Sequence, residues 1–243
     1  MKIMFTIAFC LLTAMTWAQQ NQGTIVYETK TNLHRQLPPD NENMKAMIPE
    51  FRTSRSQLLF TPQASLYKAI VEEEDEDDMS HGGGIRIRIG ASNDELYRDL
   101  TNRRRIEKRE FFGEEYLIED TLKAAPWKLA NEHKTVMGFD CMKAMWSDTT
   151  NKKEVIAWFA PTIPVSTGPE NYNLLPGMVL QVDINDGETV IVAQSAEWKK
   201  PSEKAMKAPK GGKSITADEF RSIVDEQMKK MGGGRGGMRI IRN

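Results

Sequence analysis

Cysteine is almost absent from this chain. Two occur in 243 residues, and Cys10 sits in an apolar run at the amino terminus that reads as a removable leader. The expected mature chain keeps Cys141 alone, so no internal disulfide can form even where the compartment would permit one. Charge of one sign is lacking too: Lys+Arg 33 stand against Asp+Glu 34, and removing Lys2 with the leader gives 32 − 34 = −2. Beyond the leader no apolar run is long enough to span a bilayer, which takes about 20 residues.

Enzyme signatures are missing as well. "APKGGKS" ends like a phosphate-binding loop, but Lys207 stands where the first glycine is required, so the stretch reads as a linker. "HGGG" at 81–84 matches an oxyanion-hole motif, yet no G-x-S-x-G elbow supplies a nucleophile. His34, His81 and His133 have neither H-E-x-x-H nor C-x-x-C spacing, so no metal site and no cofactor are expected. Cys141 is the thiol candidate. Beside Phe139, Met142 and Met145 it is either a buried small hydrophobe or a nucleophile served by His133 or His34. Two metal alternatives stay open: a divalent cation on the carboxylates of 72–78, and copper(I) on the methionine clusters "CMKAM" and "QMKKMGGGRGGM".

What is present begins with "MKIMFTIAFCLLTAMTWA". One lysine, an apolar core and a small residue before polar "QQNQG" describe a secretory signal peptide over residues 1–18. Export to the periplasm or outer cell envelope is the expected location. The remaining 225 residues (243 − 18) can bury roughly 70% of their unfolded surface, so they need no covalent staples to fold.

Residues 19–200 read as an antiparallel β domain. "GTIVYETKT" alternates as a strand does, and "SQLLFTPQASLYKAIV" reads as two strands turned at Thr61-Pro62-Gln63. "EEYLIEDTL", "WKLANEHKTVMGFDCMKAMWS", "KEVIAWFAP", "GMVLQVDI" and "ETVIVAQSAEW" follow, with "NDG" at 185–187 a hairpin signal. Connections are mostly too short for crossover helices, which implies an antiparallel sheet. "VIAWF" and "CMKAMW" are apolar on both faces and read as central strands. Between them and the start lies an acidic loop, 72–84, with seven successive carboxylates at 72–78 that repel one another and stay solvated. "IRIRI" at 85–89 reads as an edge strand guarded by its arginines.

Residues 201–231 read as a linker and a helix. Thr216 and Glu219 stand at capping-box spacing, and Phe220, Ile223, Val224 and Met228 form one stripe. The Gly/Arg tail 232–243 is short, and an exported protein seldom meets nucleic acid, so no nucleic-acid partner is expected.

From 160 to 177 the chain carries Pro161, Pro164, Pro169 and Pro176, too many for an interior strand. Pro176-Gly177 suits a type II turn. Beyond it Met178, Leu180, Val182 and Ile184 point one way, and Val179, Gln181 and Asp183 the other. The stretch reads as a rigid lip, and Tyr172, Leu174, Leu175, Pro176, Gly177 and Met178 are the candidate lining of a ligand groove.

"WFAPTIPVSTGPENYNLLPGMVLQVD" together with "GFDCMKA" resembles the GLPGLI family of exported Bacteroidetes proteins. The likeness runs through Gly138, Phe139, Cys141, Lys143, Ala144, Trp127, Trp158, Ile163-Pro164 and Gly168-Pro169. Leu174 replaces the first glycine of the eponymous motif, and Met178-Val179 replaces its Leu-Ile. The resemblance implies an envelope location and a β-rich domain often encoded near outer-membrane receptor systems, and no established activity. The pattern is also similar to lipoprotein-carrier-like folds. The expected architecture is therefore mainly β, a curved antiparallel sheet or open half-barrel with a C-terminal amphipathic helix. The expected role is non-catalytic binding or scaffolding, toward an apolar ligand or an outer-membrane receptor-type protein.

Overall fold

The structure is a computed structural model and describes residues 20–37, 45–70, 94–149 and 152–231. The leader, the acidic loop 72–84, the stretch 85–89, the tail 232–243 and the Met228 side chain lie outside the described residues.

Among the described residues, twelve strands form one sheet. They are β1 (Gly23–Asn32), β2 (Phe51–Phe60), β3 (Ala64–Ala69), β4 (Glu95–Asp99), β5 (Arg104–Phe111), β6 (Glu114–Thr121), β7 (Lys128–Val136), β8 (Phe139–Asp148), β9 (Lys153–Ala160), β10 (Met178–Ile184), β11 (Thr189–Glu197) and β12 (Lys213–Thr216). Their spatial order is β12-β6-β5-β4-β3-β2-β1-β11-β10-β9-β8-β7. The fold is mainly β, as the alternating sequence implies, with helix α1 (Ala217–Met231) after the last strand.

Most neighbours are joined by short antiparallel connections. Phe112 and Gly113, with φ of 53° and 81°, close β5 onto β6; Met137 and Gly138, with 50° and 80°, close β7 onto β8. Positive φ at both central residues gives the turn whose twist suits a two-residue hairpin. The "NDG" corner is observed between β10 and β11, with Asn185, Asp186 and Gly187 all at positive φ.

Four features depart from the sequence reading. Strands β4 and β5 are additional. The stretch read as a linker ends in β12, which pairs parallel to β6 from Lys213↔Tyr116 to Thr216↔Glu119. Strand β8 is next to the edge strand β7, not central. The alternation expected along β10 is broken by a register shift between Val179 and Gln181, so Met178, Val179 and Leu180 are all fully buried.

The sheet is strongly curved. Trp198, just past β11, meets Phe60 of β2 at 6.2 Å and Phe139 of β8 at 5.8 Å between ring centroids. One apolar cluster runs from Ile25, Tyr27, Leu58 and Phe60 through Ala157, Phe159 and Val182 to Ile191. Helix α1 begins with the expected capping box: the Glu219 amide donates to Thr216 Oγ1 at 3.2 Å, and the Thr216 amide to Glu219 Oε2 at 2.7 Å. Its Phe220 packs on Tyr116 and Ile118, with Ile223 and Val224 alongside. Edge strand β7 carries Lys128, Glu132, His133 and Lys134 and an irregularity between Ala130 and His133, features that discourage pairing with another chain.

Candidate site beneath the proline strap

Residues 161–177 do not hang off the sheet as a lip. They form a strap that crosses it and packs inward, with Ile163, Val165, Tyr172 and Leu175 all 3% exposed or less. Prolines shape it locally. The Val165 amide donates to the Ile163 carbonyl and the Gly177 amide to the Leu175 carbonyl, both at 2.8 Å, so each closure turns around a proline, Pro164 or Pro176. A fixed φ near −65° suits the centre of such an inverse γ-turn. The expected type II turn at Pro176-Gly177 is therefore replaced: the Met178 amide donates to Ile163 at 3.1 Å, and Gly177 lies at φ 151°.

Two glycines let the strap lie close. A Cβ on Gly168 would strike the Tyr172 carbonyl oxygen and come within 2.6 Å of Val179 Cβ. One on Gly177 would strike the Ala160 carbonyl. Hydrogen bonds then fasten the strap to β3 and to the segment before β7, and the start of β10 beside it to β1. Ser65 and Thr167 hydroxyls meet at 2.8 Å, Tyr27 OH donates to the Val179 carbonyl at 2.7 Å, and Trp127 Nε1 donates to the Asn173 carbonyl at 3.3 Å.

Among the described residues, the buried polar side chains Ser65, Arg98, Glu107, Thr167 and Asn173 all lie on the strap or on β3–β5. The register explains the grouping. Arg98 stands opposite Ser65 on one side and Arg105 on the other, while Glu107 stands opposite Leu96; directly paired residues share a face. Arg105 and Arg109 both pair with Glu107, and Arg109 Nε lies 3.6 Å from Asp94. Arg98 is fully buried. Its Nη1 donates to the Gly168 carbonyl at 3.3 Å, and its Nε and Nη2 have no hydrogen-bond partner among the described residues. Burial, with Arg105 adding, pushes its guanidinium down to about 9, so it stays charged at neutral pH.

Glu170 and Lys153 complete the cluster. Burial holds the Glu170 carboxyl above its usual range, against the opposing pull of Lys153, Arg109 and Arg98. Burial likewise lowers Lys153, which Glu170 partly offsets; its Nζ lies 5.4 Å from the Tyr172 ring centroid. The Tyr172 hydroxyl has no hydrogen-bond partner among the described residues, and burial then Glu170 push it upward. What sequence reasoning named and what gathers here overlap only in Tyr172. The missed residues, Arg98, Arg105, Glu107 and Arg109, sit on β4 and β5, where charged residues fall on both faces and hide the strand pattern.

The other candidates fall as follows. Leu175, Gly177 and Met178 are buried in the core, Leu174 is half-buried at φ 60°, and Pro176 is exposed. Cys141 is fully buried in the core cluster. Its Sγ donates to the Phe139 carbonyl at 3.6 Å, and burial pushes the thiol up to about 11. His133 is 3.0 Å from Asp140 Oδ2 and His34 3.0 Å from the Ile48 carbonyl, so the structure brings neither to the thiol by a described hydrogen bond. Among the described residues no group of three or more His, Cys, Asp or Glu is placed to hold a metal ion. Among them, too, no helix is long and apolar enough to cross a membrane.

A family described as "Protein of unknown function (Porph_ging)" matches residues 146–181, which is the end of β8, all of β9, the strap and the first four residues of β10. No curated protein matches the chain. The fold is similar to PNGF-II in two crystal forms. In space group C2 the TM-score is 0.56 with 14% identity, over 85% of this chain and 33% of that one. In P21 the values are 0.55, 15%, 86% and 34%. This chain thus spans about a third of the solved chains it matches, and identity this low speaks to fold alone.

Proposed function

We propose that this chain is an exported, non-catalytic binding or scaffolding module of the cell envelope, a member of the GLPGLI family. The observation that carries the binding reading is the contrast between two sets of groups. The thiol is sealed in the core with its pKa raised, which makes it a poor nucleophile; the charged cluster at the strap retains donors that nothing among the described residues satisfies. Buried donors without partners are costly and uncommon, and they concentrate where another molecule completes them. Apolar strap side chains are already spent inside the protein's own core. The binding groups are accordingly the charged ones at the strap, serving a ligand or an envelope partner protein that brings a polar group to them.

Export is supported by the form of residues 1–18 and by the family resemblance. The test uses the full chain expressed in an exporting Gram-negative host. Fractionation and intact mass should find a product beginning at Gln19 in the envelope. Native mass spectrometry with solvent extraction should then find a retained small molecule or a co-purifying envelope protein. A full-length, uncleaved product in the cytoplasm would contradict export, and a bare polypeptide with no partner would contradict binding.

A further inference from the structure

We propose that Arg98 anchors a binding site for a small monocarboxylate, approached past Glu170, Lys153 and Arg109. The inference rests on the binding-module reading and adds the ligand class. Three observations lead to it. First, Arg98 Nη1 is held by the Gly168 carbonyl, and the two unsatisfied donors, Nε and Nη2, are the pair on one edge of the guanidinium. That edge presents two parallel N–H groups, the arrangement that grips both oxygens of a carboxylate.

Second, the charges fit one negative group. Arg105 and Arg109 pair with Glu107, and Arg109 also with Asp94, so Arg98 keeps one positive charge with no carboxylate ion pair among the described residues. A monoanion closes that balance, whereas a dianion such as hydrogen phosphate leaves an excess negative charge in a poorly hydrated site. Third, the cluster reaches solvent. Arg98 is fully buried, but the side chains of Arg105 and Arg109 are 19% and 29% exposed, and Glu170 and Lys153 are half-buried. Arg105 Nε and Arg109 Nε also lack hydrogen-bond partners among the described residues, but each of these arginines has its Nη2 on Glu107, so of the three it is Arg98 that has both groups of that edge unpaired.

Glu170 has a definite part in this arrangement. It sits close enough to oppose Arg98 electrostatically, so it competes with an incoming carboxylate, and its removal should tighten binding. Arg98→Lys keeps the charge and loses the fork, so it should abolish selectivity for carboxylates.

The test is a titration of the folded mature protein with sodium butyrate, following the Arg98 Nε–Hε correlation by NMR, with sodium chloride and inorganic phosphate as comparison salts. The expected result is a saturable shift of that one signal with butyrate, tightened severalfold in Glu170→Gln and weakened at least tenfold in Arg98→Lys. If Arg98→Lys does not fold, the wild-type signal still decides. A signal that fails to move or drifts without saturating overturns the proposal, and so does an equal response to phosphate. If butyrate fails while native mass spectrometry still shows a retained ligand, the carboxylate site is wrong and the binding module stands.

Discussion

The hydroxyl pair between Ser65 and Thr167 offers a quantitative test of whether the strap is part of the core. Both residues are fully buried and their oxygens are 2.8 Å apart, bridging β3 to the strap across 102 positions of sequence. Thr167→Val preserves side-chain shape and removes only the hydroxyl, stranding that of Ser65. Ser65→Ala strands the hydroxyl of Thr167. Each single change should cost about 1–3 kcal/mol, the penalty for an unsatisfied buried polar group. Removing both leaves nothing stranded, so the double variant should cost less than the sum by about 1–2 kcal/mol. Urea unfolding followed by tryptophan fluorescence would measure this, with an unchanged m value confirming that the unfolded states are comparable. Additive losses, agreeing within about 0.5 kcal/mol, would show that the hydroxyls do not meet and that the strap is not seated on β3.

Three further outcomes follow from the same packing. Glu170 has a raised folded-state pKa, so its contribution is fully present below about 4.5, the ordinary value, and is lost as pH rises through the raised value. Stability of the wild type should therefore fall across that window relative to Glu170→Gln, and matched urea melts at several pH values would reveal a flat difference if the carboxyl were solvated. Cys141, with its thiol pushed up to about 11, should resist alkylation at pH 8 until the chain unfolds; prompt labelling of the native protein would revive the thiol-enzyme reading. Gly168→Ala drives a methyl against the Tyr172 carbonyl and Val179, and should cost several kcal/mol by forcing the strap off the sheet. A melting temperature within a degree or two of wild type would refute that close approach.

How far the sequence speaks depends on where its polar residues point. Strands such as β9 and β11 were legible because apolar side chains repeat along them, and α1 because its capping pair and its Phe220 stripe are local signals. Strands β4 and β5 were not, since Arg98, Arg105, Glu107 and Arg109 face inward where aliphatic residues normally sit, so neither alternation nor hydrophobicity marks them. Strand β12 is four residues long and draws its pairing from β6, nearly a hundred positions earlier. The prolines mark a stiff segment but not its direction: four prolines say that a chain is rigid, and only distant partners such as Ser65 and Trp127 determine that it lies inward. The charged cluster is wholly a product of that long-range assembly.

Amide hydrogen exchange of residues 161–179 tests the central claim most directly, that this segment is a closed part of the core. Val165, Thr167, Leu174, Gly177, Met178 and Val179 all donate to backbone carbonyls. If the strap is core, these amides should exchange as slowly as those of β9 and β10, through global unfolding. Exchange orders of magnitude faster than in the flanking strands would mean that the segment opens on its own, and the account of a strap closing the core would be wrong.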